Sequence, residues 1–351
     1  MDLALNFVSD KNAPVIKGQN STSKAKEMAD RHIDRGDDLY KMGFSGAAEA
    51  EYRIALLVDP ENIGALLELA KIYQEKGDLD SVGKFVKKAY EIDPESANTI
   101  GAMGGYYFLT GDHNKAVDYL NKAVEMGSDN SACYCNLGSI FLIYAFEFAK
   151  RGQHRDAEEF TREAADLLFK AYELNPHNDV LLANLASLMT RLPIKNNPLP
   201  EYFLRRAIIE RPSNNNNWIN LSAITQRPIP ELQAELKISK YHLRMARFGK
   251  FMGDYKLAAI ESEFSLRFFG MFPENLIEHA EISLLAYKTT GEVRFLASAE
   301  DALKSSDKML YELLSFHRDV ITKDMEPLKQ KNDDLLEKVK EERSKINSVP
   351  A

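Results

Sequence analysis

A chain of 351 residues with 44% hydrophobic content holds enough apolar surface for two or three small domains or one extended array, which excludes wholesale disorder. A formal net charge of −8 argues against nucleic acid as the main ligand, because phosphate binding rests on an excess of Lys and Arg. Cys133 and Cys135 stand two apart in a helical pattern and point away from each other, so the sequence predicts free thiols in a reducing compartment, hence the cytoplasm.

The opening MDLALNFVSDKNAPVIKGQN places Asp2 where a secretory leader needs positive charge. Residues 1–28 are polar and aperiodic and read as a flexible arm. No run of about 18 apolar residues stands out, so no membrane insertion is expected.

From residue 29 the chain repeats itself. Ala55, Ala89 and Ala123 recur at intervals of 34, as do Gly43, Gly77 and Gly111, and Pro60 and Pro94. Each position has a physical reason. Gly36, Ala70 and Gly104 are small enough for two antiparallel helices to approach closely. The glycines at 43, 77 and 111 suit the left-handed residue that closes a first helix. Ala48, Val82 and Ala116 pack behind, and Tyr52, Val86 and Leu120 are the larger knobs of the second helix. The apolar spacing in FVKKAYEI and YLNKAVEM is helical.

These residues resemble the tetratricopeptide repeat family over most of 29–225. The resemblance implies an all-α, right-handed superhelical solenoid of helix-turn-helix repeats, with the first helix of each repeat lining a concave groove. Counted from the small eighth position, repeats open at Ala29, Ile63, Ala97, Ser131, Asp179 and Asn215.

The fourth repeat departs from the period. From the small Gly138 to the turn Gly152 it takes fourteen residues instead of seven, and from Gly152 to Pro176 it takes 24 instead of 17. Both helices have gained seven residues, about 10 Å each. This predicts a long hairpin, 134–150 against 155–174, rich in aromatics (Phe141, Tyr144, Phe146, Phe148, Phe160, Phe169), most of them inside it. A fifth repeat follows from Asp179 with an irregular proline-rich turn at 192–200. A sixth breaks at 226–230, and these two stretches are the expected hinges. Residues 226–323 read as a degenerate helical extension with pairs around Gly253 and Gly291. Residues 324–351 form a charged helix that either caps the array or, less readily, pairs as a short coiled coil, with Asn332 and Glu342 at its seam.

In this family the second, fifth, sixth, ninth and twelfth positions of a repeat face the groove. The sixth positions are Asp34, Glu68, Ala102, Asn136, Asn184 and Asn220. Three successive carboxamides, each both donor and acceptor, could hold an extended backbone. The arrangement resembles the asparagine ladder of the O-linked N-acetylglucosamine transferase repeat domain, although Asn is also the family's default here. Gly105, Phe108, Ser139, Leu142 and Ser187 are further expected groove residues. The basic residues of the family's clamp for chaperone C-terminal carboxylates are missing: Ile33, Asp37, Asn98 and Ala102 stand in their places.

Charge is uneven. Residues 27–190 carry 16 basic and 28 acidic groups, whereas 191–256 carry 12 basic and 5 acidic, headed by Arg205, Arg206, Arg211, Arg244 and Arg247. That section is either solvated surface or a patch steering an acidic partner. No metal-ligand spacing of the histidines, P-loop, dinucleotide fingerprint or nucleophile elbow is present, so neither a cofactor nor catalysis is expected. Three readings remain open: a scaffold or assembly chaperone that holds a polypeptide in the groove, a structural subunit of a larger complex, and a regulatory subunit of an enzyme complex.

Overall fold

The computed structural model describes residues 23–191, 197, 199–269, 272–314 and 319–347, and among them all regular structure is α-helical. The chain divides into two compact units, one ending at Ser128 and the other beginning at Asp129. The division falls inside the stretch read above as one run of repeats.

The first unit contains α1 (Ser23–Lys41), α2 (Ser45–Val58), α3 (Ile63–Glu75), α4 (Leu79–Ile92), α5 (Ala97–Leu109) and α6 (His113–Glu125), which pair as three hairpins. Residues 23–28, expected in the N-terminal arm, belong to α1; the rest of that arm lies outside the described residues. Each hairpin turns on a glycine of positive φ, Gly43, Gly77 or Gly111, at +86°, +74° and +78°. The helices start where side chains cap them. Asn62, Asp78, Ser96 and Asp112 accept hydrogen bonds from the amides of Ala65, Ser81, Asn98 and Lys115.

Small residues set the spacing within a hairpin. A Cβ added at Gly36 would lie 2.4 Å from Tyr52 Cε1, and one at Gly104 would lie 2.6 Å from Leu120 Cγ. Tyr52 is fully buried, and its hydroxyl donates to Asp37 Oδ1 at 2.7 Å. Burial, then the bond to Asp37, raise its pKa. At the α2–α3 junction Glu49 meets Tyr73, Lys76 and Arg53. Burial opposes ionisation there, but hydrogen bonds from Lys76, Tyr73 and Arg53 outweigh it and hold the carboxyl at about 2.

The second unit opens with the long hairpin, α7 (Ser131–Lys150) and α8 (His154–Leu174), of 20 and 21 residues where α3 and α4 have 13 and 14. Equal insertions kept the facing pair in register: a Cβ at Gly138 would stand 2.9 Å from Leu168 Cγ. The added turns are filled by aromatics, with Phe160 5.7, 5.5 and 5.3 Å from the rings of Phe141, Tyr144 and Phe148. Phe169 is buried and Phe146 is 62% exposed. One expectation needs correction. By length and composition α7 is apolar enough to cross a membrane, because the added turns of a hairpin interior must be apolar; half of its apolar window is buried against its neighbours.

The unit continues with α9 (Asp179–Met189), α10 (Leu199–Glu210), α11 (Asn215–Thr225), α12 (Ile229–Met252), α13 (Tyr255–Arg267), α14 (Pro273–Thr290), α15 (Val293–Leu314) and α16 (Asp319–Asn347). Helices α3, α5, α7, α9 and α11 begin at the residues where the repeat count opens them. The proposed hinge at 192–200 lies mostly outside the described residues. The break at 226–230 is a braced corner. Gln226 sits at φ +56°, the Arg227 carbonyl accepts from Ser222 Oγ at 2.6 Å, and Arg227 pairs with Glu231 and Glu235. Pairs α12–α13 and α14–α15 turn on Gly253 and Gly291 as expected.

Helix α16 caps this unit: it lies along α15 and α14 and reaches α8, with Lys329–Asp307, Lys331–Glu281 and Arg343–Glu300 ion pairs at 3.1, 3.0 and 2.9 Å. Met325, Asn332, Leu335 and Val339 are buried, so its seam is occupied by this chain's own helices. Nearby, His279 is 2% exposed among serines, 2.7 Å from Ser262 Oγ and 2.9 Å from Ser298 Oγ. Burial pushes its pKa down to about 4.

Replacing Gly104 by Val forces the α5–α6 pair apart and should cost about 1–3 kcal/mol in chemical denaturation, whereas Gly46→Ala, which meets no neighbour, should be neutral. Because His279 has a folded pKa below its unfolded value, its contribution is complete above about pH 6.5 and is lost as pH falls toward 4. Thermal melting across that window should therefore be flatter for His279→Gln than for the wild type.

Candidate functional site

The expected groove residues fall in both units. In the first, Gly105 and Phe108 occupy the ninth and twelfth positions of α5 and are half-buried; Phe108 stacks on His113 with centroids 6.1 Å apart. At the sixth positions Asp34 is exposed, and Glu68, half-buried, pairs with Lys71 at 3.3 Å.

In the second unit the three asparagines have diverged. Asn136 is half-buried. Asn184 donates to Ser139 Oγ at 2.6 Å and approaches Cys135 Sγ at 3.6 Å. Ser139 in turn donates to the Cys135 carbonyl at 2.6 Å. Asn184 therefore ties α9 to α7, and Ser139 and Leu142 are buried instead of lining an open surface. Cys135 is enclosed by the same contacts, and burial pushes its thiol up to about 11. Asn220 is exposed.

Asn220 and Ser187 share an open cleft of about 210 Å³ between α9, α10 and α11, with Ala183, Ala223, Ile224 and Leu204 in its wall. Asp179, at the first position of α9, sets the spacing of α9 and α11. It accepts from Asn214 Nδ2 at 2.8 Å and Asn217 Nδ2 at 3.4 Å, and Arg211 lies 3.5 Å away. Asn214 also caps α11 through the Asn216 amide. The asparagine-rich linker is thus the joint that holds the cleft's two walls together. Thr190 and Ala223, which also line it, stand at twelfth and ninth positions of their repeats. The same positional rule finds them once α9 and α11 are counted as full repeats. Ile224 and Leu204 carry no such signal.

The basic section is not a continuous patch. Arg205 pairs with Glu201 at 2.7 Å and lies over the Phe269 ring. Arg206 donates to the Tyr172 hydroxyl at 2.8 Å, Arg211 faces Asp179, and Arg247 pairs with Glu278 at 3.4 Å. Among the described residues no group of His, Cys, Asp and Glu is arranged to hold a metal ion.

Comparison with known proteins agrees with the repeat geometry. The family model for the tetratricopeptide repeat matches residues 63–96 and 97–130, the segments holding α3–α4 and α5–α6. Photosystem I assembly protein Ycf3 of Synechococcus sp. (strain CC9902) is 30% identical over 24% of this chain and 50% of its own length. Tetratricopeptide repeat protein 8 of Caenorhabditis elegans is 24% identical over 34% of this chain and 24% of its own length. The chain thus spans half or less of these two relatives. A solved thermophilic TPR protein of Thermus thermophilus is 16% identical with a TM-score of 0.42, covering 57% of this chain and 100% of that one.

Asn184 and Asn220 predict different outcomes. Asn184→Ala should lower stability by about 1 kcal/mol in thermal or denaturant unfolding, because it removes a half-buried interhelical hydrogen bond. Asn220→Ala, at an exposed site, should leave it unchanged. Residues 63–130 thus hold two consecutive tetratricopeptide repeats, matched where the 34-residue period places them.

Proposed function

We propose that the chain is a protein-interaction scaffold that holds an extended polypeptide segment in the α9–α11 cleft. The observation that carries this reading is the lining: small side chains at Ala183, Ser187 and Ala223 leave room for a backbone, and exposed Asn220 offers it a donor and an acceptor. Ile224, 41% exposed, adds an apolar contact. Asn136 extends the row, while Asn184 serves as the internal strut. In the first unit Gly105 and Phe108 form a separate stretch of the same kind of surface. The scaffold needs no catalytic group, cofactor or metal.

The name of the cyanobacterial relative, an assembly protein, supports assembly of other proteins as the setting. The two buried cysteines, neither in a disulfide, support a reducing compartment, and we place the protein in the cytoplasm on that ground. A second reading, a structural subunit held through the long hairpin, is favoured by Phe146, whose ring stands 62% exposed on a helix otherwise filled by its own aromatics.

The test is affinity purification from the native extract with three variants of equal helicity by circular dichroism. Filling the cleft with Ser187→Arg and Ala223→Arg should abolish capture, and Asn220→Ala should weaken it about tenfold. Phe146→Ser should bind as wild type does. Loss of the partner with Phe146→Ser and retention with the cleft variants would reject the cleft and support the structural-subunit reading.

A further inference from the structure

Helix α12 is the longest in its unit after α16, and it presents two faces. Leu232, Leu236, Ser239, Ala246 and Gly249 are buried, and α13 packs against it. On another face Ile238, Tyr241, Met245, Phe248 and Met252 recur at alternating spacings of three and four. Tyr241, Phe248 and Met252 are 60%, 55% and 61% exposed, and Ile238 39%. A helix whose only task is to cover a core keeps such a stripe inside. The stripe is narrow and has the spacing of a coiled-coil seam, with Ile238, Met245 and Met252 at a positions and Tyr241 and Phe248 at d positions. In α16 a seam of the same spacing is covered by α15; on α12 it is open.

Charge identifies what fits. In this heptad frame the g positions that flank the seam are Lys237, Arg244 and Phe251, the last 85% exposed, with Lys240 beside the first two. None of the three basic residues has an ion pair among the described residues, in contrast to Arg205, Arg211 and Arg247. The opposite flank is His242, held by Glu261 at 2.6 Å. We propose that this face of α12 docks an acidic amphipathic helix of another protein, with apolar residues in the seam and Glu or Asp opposite Lys237 and Arg244.

Other occupants match less well. A second copy of α12 would bring Lys237 and Arg244 against each other when antiparallel. When parallel it would set them opposite His242 and Gly249, neither of them an acid. An anionic lipid surface would meet basic residues on one flank only and the Glu261 carboxylate near the other. The surface is independent of the α9–α11 cleft, so the two proposals stand or fall separately.

The experiment uses the full chain and fluorescein-labelled peptides about three heptads long, with Leu at a and d and either Glu or Lys at e and g. Fluorescence anisotropy should show the Glu peptide bound in preference to the Lys peptide, with affinity falling as salt rises. Tyr241→Ser with Phe248→Ser should weaken the Glu peptide at least about tenfold. Lys237→Glu with Arg244→Glu should reverse the preference. Melting curves check that each variant is folded, and these positions are exposed or at the surface. Equal binding of the two peptides, or binding of neither, overturns the proposal. So does flotation with phosphatidylserine-containing vesicles when the Glu peptide does not bind. Sedimentation showing a dimer that Phe248→Ser dissociates would assign the face to self-association and overturn it equally.

Discussion

The contact on which each repeat hairpin depends is the seat of one large side chain against a residue with little or no side chain. Tyr52 lies on Gly36, Leu120 on Gly104 and Leu168 on Gly138, at distances that leave no room for a Cβ. Close packing of this kind brings the helix backbones together, and interiors that dense tolerate little added volume. The α3–α4 hairpin reaches the same end with Ala70 beside Val82 and Val86. Turn glycines and caps then have only to end each helix at a fixed distance from that contact. A 34-residue period is the result of holding this one geometry constant.

The long hairpin shows how the constraint tolerates change. Seven residues added to each of α7 and α8 leave the seat of Leu168 on Gly138 in place and push the extra turns outward, where Phe160 collects three rings around itself. The cost is an α7 so apolar that composition alone cannot distinguish it from a membrane helix. Half of its apolar window is buried, with α8 and α9 packed against it.

Polar residues serve two purposes in the second unit, and position in the packing separates them. Asp179 and the asparagines at 214 and 217 join α9 to α11, and Asn184 joins α9 to α7. Asn220 occupies the same repeat position as Asn184, and Ser187 stands where Ser139 does for Asn184, but here both residues are exposed and share the open cleft. Most arginines of the basic section are likewise engaged within the fold, which concentrates unpaired positive charge on α12. At the C-terminus α16 buries a heptad seam, including a fully buried Asn332, against α15. The analogous seam of α12 has no helix upon it.

Much of this was legible in the sequence because the repeat rule is local. Small and large residues at a spacing of 34, a glycine at each turn and a matched pair of seven-residue insertions each follow from contacts within one hairpin. Helices α3, α5, α7, α9 and α11 accordingly begin at the counted residues. What the sequence could not assign was the fate of side chains at equivalent positions. Asn184 is a strut because it reaches the buried Ser139, 45 residues away along the chain, whereas Asn220 and the equivalent Ser187 lie exposed in an open cleft. Burial of Leu142, the bracing of the 226–230 corner by Arg227, the return of α16 to α8 and the open stripe of α12 have the same origin. Each depends on which helix comes to rest against which, a property of tertiary packing that no single repeat encodes.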